Sequence, residues 1–599
     1  MPERTRMRSC PPPTSAILSV LLLLGAPTLL TNALSASIRS SRSSQASVFG
    51  VKMNPTSVEE VPTVISNVAS KAEEWKERPL EYKIDLLHQI LTNTIEHENY
   101  WISLAQQSRG IDPDNPRHGC ATADVIISST ATFGAYLNGL ISTLEYCSKH
   151  NGMPPPPRKV RVLPGTGRSI VTLWPSTLLD HLEAVGLRAE LVLGDESAEQ
   201  MNLEREACVG GVAGVLGAGN IDAPIELLCE LFLKSRVCIY KPNPVNSKKH
   251  LAVAKIFEPL VSAGYLDFVL GGADVGSALV RDSNLDEVVL TGSVNTYEKI
   301  KPLTSTPICA ELGGVNCWII APGDSWSKRS VDGHARHLAF ARVANNGHVC
   351  AAPQVVMVDR EWKWRHQFMD RLRFWLAEYA GAPPFYPGSA DTHSRFQDLP
   401  RAEVIPGENA FDKQQRPIIF ADTPVGDEES TSSIFTDEAF CPVLAEVPVD
   451  GGGDPISFLY NAAEIAEKKC FGSLTCNILI PDKIVRKNAR EFDEIIAGLP
   501  FGVIGVNIFP AFAHSMPQLV WGAAPGHPQS GIGFIGNSGL YRQPQKAVLR
   551  APFNWLGRKA LSVMPPKKTE KVFRRLAQYK MKPSLISQTA LFTALFLGL

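Results

Sequence analysis

Residues 211–241 read GVAGVLGAGNIDAPIELLCELFLKSRVCIYK, and this stretch decides the fold. An apolar run ends in a glycine-rich turn at Asn220, a helical segment follows, and a second apolar run ends at Lys241. Asp222 and Pro224 are residues typical of a helix cap and of a first-turn proline. Strand, helix and strand in this order predict a right-handed crossover between two parallel strands.

The same alternation of strand and helix continues along the chain. Ser247 stands where a cap is expected for the helix KKHLAVAKIFEPLVSAG, and the strands LDFVLGG, LDEVVLTGS and PICAELGG follow. A second series comprises the strands NCWIIAP and PQVVMVD, a helix near residues 328–344 and a helix over WRHQFMDRLRFWLAEY. Residues 58–107 have helical periodicity, whereas residues 151–168 and 385–435 are expected to be linkers or surface loops. These patterns predict an α/β protein with a parallel sheet covered by helices on both faces.

The composition excludes several classes of protein. The chain has 599 residues, of which 44% are hydrophobic and 20% are charged, so it can build a large core and is not disordered as a whole. Because 59 Lys and Arg residues balance 60 Asp and Glu residues, no nucleic-acid partner is expected. The twelve cysteines have neither the C-x-x-C nor the Cys/His spacing of a zinc site, which indicates reduced thiols in a reducing compartment.

The N-terminal 50 residues have the composition of a targeting presequence. No acidic residue occurs between Glu3 and Glu59, three arginines open the chain, and the apolar stretch 16–30 is followed by small residues near Ala36. The Ser- and Arg-rich segment SASIRSSRSSQAS comes next. This layout predicts entry into the secretory route, with a plain signal peptide or anchor and a two-part plastid presequence as alternatives.

A basic segment and an uncharged tail close the chain. Residues 553–582 contain a run of lysines and arginines after Pro566, and residues 583–599 carry no charge. As a helix, this tail is somewhat shorter than the hydrocarbon core of a bilayer, which is about 30 Å thick. It is expected either to dip into a membrane with an anionic surface or to pack on the protein body.

Two side chains have positions suited to chemistry. Cys350, in NNGHVCAAPQ, lies between a helix and a strand among small residues that would let a substrate approach its thiol. Glu311 ends a strand and precedes two glycines, so its carboxylate could act as a base for a closely approaching group. For each, a structural alternative exists, namely a packed thiol and a surface acid.

Two other patterns are rejected as functional sites. Gly531, Gly533 and Gly536 match the G-x-G-x-x-G dinucleotide pattern, but they do not follow a strand or open a helix, and no acid lies about 20 residues further on. His334 and His337 lie three apart on a helix without a third ligand nearby, so no metal is expected.

Five motifs together resemble the aldehyde dehydrogenase superfamily over residues 58–552. AELGGVN at 310–316 matches the family's Glu-Leu-Gly-Gly motif, and NNGHVC at 345–350 matches Gly-Gln-x-Cys with His348 for Gln. LTGS at 290–293 matches the Thr-Gly-Ser turn that contains Gly292 and Ser293, and YKP at 240–242 matches Leu-Lys-Pro. TDEAFCPVL matches Glu-x-Phe-Gly-Pro-Val with Cys441 for Gly. The motifs occur in the family's order and spacing.

The resemblance implies a role for each matching residue in the chemical steps. Cys350 as thiolate would attack an aldehyde, and the amide of Asn220 would stabilise the oxyanion, a contribution typically worth about 3 kcal/mol. Glu311 would activate the water that hydrolyses the thioester after hydride transfer to NAD or NADP.

The resemblance also implies which residues hold the cofactor. Lys241 would reach the adenosine ribose, Glu438 would hold the nicotinamide ribose and Phe440 would flank the ring. The turn at Gly292 and Ser293 would lie at the pyrophosphate. An aldehyde substrate and a homo-oligomeric assembly are implied as well.

Three departures from the family pattern affect the cofactor pocket. Pro244 stands where many NAD-specific members have a glutamate, so a 2′-phosphate would not be repelled. Ala218 and Gly219 replace Pro-Trp before the oxyanion asparagine, which alters the wall near the nicotinamide. Tyr297 replaces a glycine at a helix start, where its side chain is expected to crowd or displace the cofactor.

The resemblance also divides the chain and frames its function. It implies an aldehyde-dehydrogenase-like fold with a Rossmann-type cofactor domain at 51–310, to which 511–552 packs back, and a second α/β catalytic domain at 311–510. The function implied is NAD(P)-dependent oxidation of an aldehyde to a carboxylic acid. Alternatives are a CoA-acylating semialdehyde dehydrogenase, which the presence of Glu311 disfavours, and a catalytically silent membrane-bound binding or scaffold protein.

Overall fold

The computed structural model describes residues 54–163, 166–194, 209–246, 248–379, 381–407, 415–425, 429–562 and 564–597. The predicted presequence and the predicted cap Ser247 lie outside these residues. The α-helices are Val61–Ala69, Ala72–Glu77, Leu80–Glu96, Glu98–Ser108, Gly119–Ile126, Thr132–Lys149, Leu178–Glu183, Ile225–Leu228, His250–Ile256, Glu258–Ser262, Ala273–Val280, Val294–Ile300, Lys328–Val343, Arg365–Ala377, Ser389–Gln397, Glu429–Thr436, Pro455–Lys469, Asp482–Lys487, Ala489–Gly498, Pro566–Met581 and Leu585–Leu597.

Nineteen strands occur in the described part of the chain and form two large sheets and one small ribbon. They are β1 Lys159–Val162, β2 Ser169–Trp174, β3 Arg188–Leu193, β4 Val212–Leu216, β5 Val237–Lys241, β6 Leu266–Phe268, β7 Glu287–Gly292, β8 Ile308–Leu312, β9 Asn316–Ile320, β10 Pro353–Asp359, β11 Ala402–Val404, β12 Ile418–Phe420, β13 Val443–Val449, β14 Thr475–Leu479, β15 Val503–Val506, β16 Val520–Trp521, β17 Gly531–Ile532, β18 Ile535–Gly536 and β19 Pro544–Arg550.

The six-stranded sheet has a doubly wound core in the order β6-β5-β4-β7-β8. These five strands are parallel, and β4 and β5 are almost entirely buried, which explains their continuous apolar sequences. The chain winds outward from β4 to β6 and then returns to the other side of β4 with β7. In such sheets, ligands bind beyond the carboxyl ends of the strands at the point where the winding reverses. Asn220, Lys241, Gly292 and Glu311 all lie at or just after carboxyl ends of these strands.

The eleven-stranded sheet has the order β1-β2-β3-β19-β15-β14-β9-β10-β13-β12-β11. The strands from β19 to β12 are parallel, and β1, β2, β3 and β11 are attached at the two ends in antiparallel pairs. The α/β class with parallel strands is confirmed. The boundary at residue 310 remains a prediction; segment 511–552 contributes β17 to the smaller sheet and β19 to the larger one.

Two segments expected to be irregular contain regular structure. Residues 151–168 include β1, which is only four residues long, mostly exposed, and preceded by a run of prolines that favoured a loop. Residues 385–435 include the helix Ser389–Gln397, the short strands β11 and β12, and most of the helix Glu429–Thr436. The loop prediction was wrong there because the two β-strands have three residues each and gain their stability from pairing with β13 and with each other, not from a local pattern.

The glycine run at 531–536 is part of a strand arrangement. Gly531 and Ile532 pair antiparallel with β8, and Gly531 lies directly opposite Glu311. Gly531 has φ +115°, and a Cβ there would overlap the carbonyl oxygen of Ala310. The glycine is therefore needed for close approach of β17 to the strand that carries Glu311, and the run does not connect a strand to a helix.

The C-terminal tail packs on the protein body along one face. Gln588 Nε2 donates to the carbonyl oxygen of Leu179 at 3.1 Å, and Leu591 and Leu595 are buried. The opposite face contains Ile586, whose side chain is 85% exposed. In the described part of the chain, one helical stretch, 116–149, is long and apolar enough to cross a membrane, but 67% of its apolar window is buried inside the fold.

Candidate active site

A sharp left-handed turn precedes Cys350. Asn345, Asn346 and Gly347 have φ values of 53°, 55° and 78°, directly after the helix Lys328–Val343. Asparagine and glycine are the residues that tolerate this conformation best. Asn345 Nδ2 also donates to the carbonyl oxygen of His348 at 3.2 Å, which closes the turn. The turn holds Cys350 at a half-buried position three residues before β10 begins.

The thiol of Cys350 lies next to the carboxyl group of Glu311. Burial, reinforced by the nearby carboxyl groups of Glu311 and Glu438, holds the pKa of the thiol well above its usual range. Cys350 is therefore a protonated thiol at rest, and its ionisation requires a base or a bound positive charge nearby.

Glu311 is a buried carboxyl group, 7% exposed, that faces the indole of Trp521 as well as Cys350. Burial raises its pKa, and the contacts with Trp521 and Cys350 oppose this rise. A carboxyl group with a raised pKa is a stronger base once it ionises, as a proton acceptor near neutral pH should be.

The carboxamide of Asn220 points to the same turn. Its Nδ2 donates to the carbonyl oxygen of His348 at 3.1 Å, two residues before Cys350. The structure thus brings together Cys350, Glu311 and Asn220, the three residues predicted to carry out the chemistry.

Glu438 lies near the Cys350 thiol, and Phe440 follows it in the segment that leads to β13. Gly313 leaves the space that the Glu438 carboxylate fills, since a Cβ at that position would overlap its oxygens. Burial raises the pKa of Glu438 to about 8, with the Arg342 guanidinium opposing this rise and Glu311 adding to it. Phe440 has φ +46°, a strained conformation for an aromatic residue, of the kind that clusters at functional sites.

The other predicted cofactor residues lie along the edge of the smaller sheet. Lys241 is 7% exposed, and its stem packs over Gly276, where a Cβ would come within 3.3 Å of the lysine Cε. Burial lowers the pKa of Lys241, and Asp274 opposes this effect. Ser293, directly after Gly292, caps the helix Val294–Ile300 by accepting from Thr296 N at 3.2 Å.

Known proteins are similar in sequence to the part of the chain that contains this candidate site. A model of the aldehyde dehydrogenase family matches residues 231–385, the stretch that contains β5, Glu311 and Cys350. Over this stretch the chain is similar to the aldehyde dehydrogenase superfamily. It is 23% identical over 342 residues to aminoaldehyde dehydrogenase 1, peroxisomal, of Malus domestica, covering 53% of this chain. It is 31% identical over 159 residues to 4-trimethylaminobutyraldehyde dehydrogenase of Bos taurus, covering 25% of this chain and 31% of that protein.

Solved aldehyde dehydrogenase structures share the fold. Lactaldehyde dehydrogenase from Escherichia coli superposes with a TM-score of 0.56 at 19% identity, covering 83% of this chain and 92% of that one. An NADP-dependent glyceraldehyde-3-phosphate dehydrogenase from Bacillus halodurans C-125, complexed with NADP, gives 0.57 at 16% identity with the same coverage. Against its sequence relatives the match is shorter: the chain spans 62% of the length of the Malus aminoaldehyde dehydrogenase.

His348 replaces the glutamine of the aldehyde dehydrogenase motif. Its ring is buried, and Nδ1 donates to the carbonyl oxygen of Phe440 at 2.7 Å, since a carbonyl can only accept. Burial lowers the pKa of His348 to about 3, so the ring is neutral. The histidine thereby connects the turn before Cys350 to Phe440, the residue predicted to flank the nicotinamide.

Gly219 replaces the tryptophan of the aldehyde dehydrogenase motif, and Tyr386 fills the space. A Cβ at Gly219 would lie 2.9 Å from Tyr386 Cε2. The Tyr386 ring packs edge to face on Phe440 with a centroid distance of 4.9 Å. The wall beside Asn220 is therefore rebuilt from another part of the chain.

Tyr297 does not crowd the helix start as the sequence suggested. Its side chain is 7% exposed and packs in the hydrophobic core, with Lys301 Nζ 5.5 Å from the ring centroid. The expectation was wrong because the fourth residue of this helix turns toward the core, away from the first turn.

Several site residues were not recognised from the sequence. Arg342 is buried and donates to the carbonyl oxygens of Gly347 at 2.9 Å and Pro353 at 2.8 Å, which supports the nucleophile turn. Asp222 was predicted to be a helix cap, but the helix Ile225–Leu228 is preceded by Pro224, and Asp222 is a buried ion-pair partner. The only signal in the sequence was a polar residue shortly before a proline. This pattern predicted a helix cap, which is not the role of Asp222 in the structure.

The two helical histidines are core residues. His334 and His337 are fully buried, and His334 Nε2 lies 3.1 Å from the carbonyl oxygen of Phe553. Within the residues that the structure describes, no three His, Cys, Asp or Glu side chains converge in a group that could hold a metal ion.

Proposed function

We propose that the protein oxidises an aldehyde to a carboxylic acid, with NAD or NADP as the hydride acceptor. The observation that carries this proposal is the contact between the Cys350 thiol and the Glu311 carboxyl group, with the Asn220 carboxamide at the same turn. A nucleophile, a base and an oxyanion donor at the carboxyl edge of a doubly wound sheet form the minimum set for this chemistry.

The residues act in sequence on the substrate. The Cys350 thiol proton passes to solvent while Sγ forms a bond with the aldehyde carbon, and Asn220 donates to the oxygen that becomes negative. A nicotinamide held by Glu438 and Phe440 would supply the acceptor for the hydride that leaves this carbon, and a thioester would remain on Cys350. Glu311 then takes a proton from a water molecule that attacks the thioester, the C–S bond breaks, and the acid is released.

The residues along the edge of the smaller sheet fit a dinucleotide. Lys241 is a cation held almost out of solvent at the end of β5, and Glu438 places a carboxylate between the two sheets. We infer that Lys241 holds the adenosine ribose, that Gly292 and Ser293 border the pyrophosphate, and that Glu438 and Phe440 hold the nicotinamide riboside. The function is tested by following the absorbance of reduced nicotinamide with a panel of aldehydes, each with NAD and with NADP. If no combination of aldehyde and cofactor gives turnover, the proposed function is contradicted and a silent binding protein is favoured.

The contact between Glu311 and Cys350 also bears on the alternative activities. A CoA-acylating enzyme resolves its thioester with an external thiol and needs no base beside the nucleophile. The substrate itself is not encoded in a readable motif, although the two relatives are named for aminoaldehydes and for 4-trimethylaminobutyraldehyde. We therefore include both kinds of aldehyde in the panel.

Cofactor choice should respond to residue 244. Pro244 is exposed in the short turn Pro244–Asn246 after Lys241, so a longer side chain fits there. We expect the wild type to use NADP within about tenfold of NAD, and Pro244→Glu to shift the ratio of kcat/KM values toward NAD, because the carboxylate repels a 2′-phosphate and accepts from a 2′-hydroxyl. Pro244→Gln, equal in size but uncharged, should shift the ratio much less. An equal shift in both variants would show that charge is not the cause.

We propose that the C-terminal tail contacts a membrane through the face that the protein body does not cover. The exposed Ile586 and the basic helix Pro566–Met581 would face an anionic lipid surface. We expect Ile586→Glu to reduce co-sedimentation with phosphatidylserine-containing vesicles, whereas Tyr460→Glu, at a 49% exposed aromatic on a distant helix, leaves it unchanged. Pure phosphatidylcholine vesicles should bind weakly. Equal binding by wild type and Ile586→Glu would remove the tail from the membrane contact.

We further propose that residues 1–50 direct the protein into the secretory route or to a plastid, and that the folded protein is a homo-oligomer. The composition of the presequence and the resemblance to the family support these proposals.

A further inference from the structure

A buried chain of charges lies behind the candidate active site. Asp222 pairs with Arg109, whose Nη2 lies 2.8 Å from Asp222 Oδ2, and with Lys249 through its other carboxylate oxygen. Ser128 Oγ also donates to Asp222 Oδ2, at 3.0 Å. Arg109, Asp222 and Lys249 are 3%, 5% and 2% exposed, so the whole group is removed from solvent.

Arg109 connects these buried charges to the turn that begins at Asn345 and precedes Cys350. Its Nη1 donates to Asn345 Oδ1 at 2.7 Å, and its Nη2 reaches the carbonyl oxygen of Asn220 at 3.5 Å. The guanidinium also lies over the ring of Phe385, with 4.6 Å between the carbon Cζ and the ring centroid. One cation thus fixes the orientation of the Asn345 side chain.

Asn345 is the point where the contacts converge. Its Nδ2 donates to the carbonyl oxygens of Asn220 at 3.0 Å and of His348 at 3.2 Å. Its backbone N–H donates to Asp124 Oδ2 at 2.9 Å. With Arg109 holding its oxygen, Asn345 sets the distance between the oxyanion donor and the turn that carries Cys350.

Lys249 is the end of this chain of charges that lies toward the candidate cofactor residues. It directly precedes the helix His250–Ile256, which begins soon after β5 and Lys241. The segment 242–249 therefore joins the candidate ribose lysine to the ion pair with Asp222. A buried arrangement of two cations and one anion is costly, and as a rule contributes little net stability compared with apolar packing. The ion pairs of Asp222 are therefore better explained by the residues that they hold in position than by a gain in stability.

We propose that Lys249, Asp222 and Arg109 are positioning residues, which hold Asn220 and the Asn345 turn in register for attack by Cys350 and tie them to the cofactor segment. This inference rests on the proposed nucleophile and oxyanion donor. It adds residues that touch neither substrate nor cofactor and act through Asn345.

Lys249→Met is the most informative variant. It removes the terminal cation, and Asp222 keeps its bonds with Arg109 and Ser128, so no buried charge is left unpaired. Lys249→Arg restores the cation. Glu190→Gln is the matched control, because Glu190 is an equally buried carboxylate paired with Arg550 and Arg161 in the larger sheet, away from the turn.

Acylation of Cys350 by p-nitrophenyl acetate reports on positioning without a nucleotide. Sγ forms a bond with the ester carbonyl carbon, the bond to the aryl oxygen breaks, p-nitrophenolate leaves, and the thiol proton passes to solvent. We expect the burst rate of Lys249→Met to fall by about tenfold or more, since small misplacements of reacting groups are expensive, and Lys249→Arg to recover most of it. Amide hydrogen exchange of residues 341–352 should accelerate in Lys249→Met. Glu190→Gln should change neither measurement.

Each outcome decides a separate question. A Lys249→Met burst within twofold of wild type, or slowed equally in Glu190→Gln, would overturn the positioning role. Slower acylation without faster exchange at 341–352 would overturn the link to the turn. A burst that persists in Cys350→Ala would instead contradict the proposed nucleophile, and the exchange measurement would still judge whether Lys249 holds the turn.

Discussion

Cys350→Ala is expected to lower turnover by at least about a thousandfold, because a reaction that proceeds through a covalent thioester has no other route once the nucleophile is removed. The fold should survive, since Cys350 is followed by Ala351 and Ala352 and the turn before it is held by Asn345 and Arg342. Reduced-nicotinamide formation, dinucleotide binding by calorimetry and thermal unfolding of the same preparation measure activity, the cofactor site and stability separately.

Cys309→Ala is the control for the loss of a thiol near the site. Cys309 lies on β8, two residues before Glu311, and its Sγ faces the carbonyl oxygen of Phe534 at 3.9 Å. This variant should retain turnover near that of the wild type. Measurable activity of Cys350→Ala above that of a protein-free blank would mean that another group attacks the aldehyde.

Glu311→Gln should separate the two halves of the reaction. The amide has the shape of the carboxyl group and can remain between Trp521 and Cys350, but it cannot take a proton from water. We expect a burst of reduced nicotinamide close to one per active site, followed by steady turnover lowered by about 10² or more. Rapid mixing with absorbance detection measures both phases.

The pH dependence gives a second readout of Glu311. Burial raises its pKa, so the carboxyl group stays protonated over a wider acidic range and gains its function as a base only as the pH rises through this raised value. Hydrolysis of the acyl-enzyme should therefore accelerate with pH in the wild type and lose this dependence in Glu311→Gln. A variant with normal steady turnover would move the base elsewhere, and a variant without a burst would place Glu311 in the first step as well.

The arrangement of the catalytic candidates followed from the sequence because parallel strands end at one edge. Once β4 and β8 were recognised as strands of one sheet, Asn220 and Glu311 had to lie near each other. Cys350 was placed by its motif, and the structure brings its thiol to Glu311. The alternation of apolar runs and helices predicted the parallel sheet, whereas the order of its strands is known from the structure.

The supporting charges could not be found in the same way. Arg109 meets Asp222 across 113 residues and Asn345 across 236 residues, and no local pattern distinguishes a buried arginine from a solvated one. Tyr386 compensates for Gly219 from a segment that the sequence suggested was a surface loop. Contacts of this kind depend on packing between distant segments, which a single sequence does not encode locally.

The resting thiol has a consequence for the chemical durability of the protein. Peroxide and other oxidants react with thiolates far faster than with thiols, and sulfenic acid formation follows the fraction ionised. Because burial, together with Glu311 and Glu438, keeps Cys350 protonated between turnovers, the residue on which the proposed catalysis depends spends that time in its least oxidisable form. Burial and the two neighbouring acids thus also slow oxidation of the sulfur during long periods without substrate.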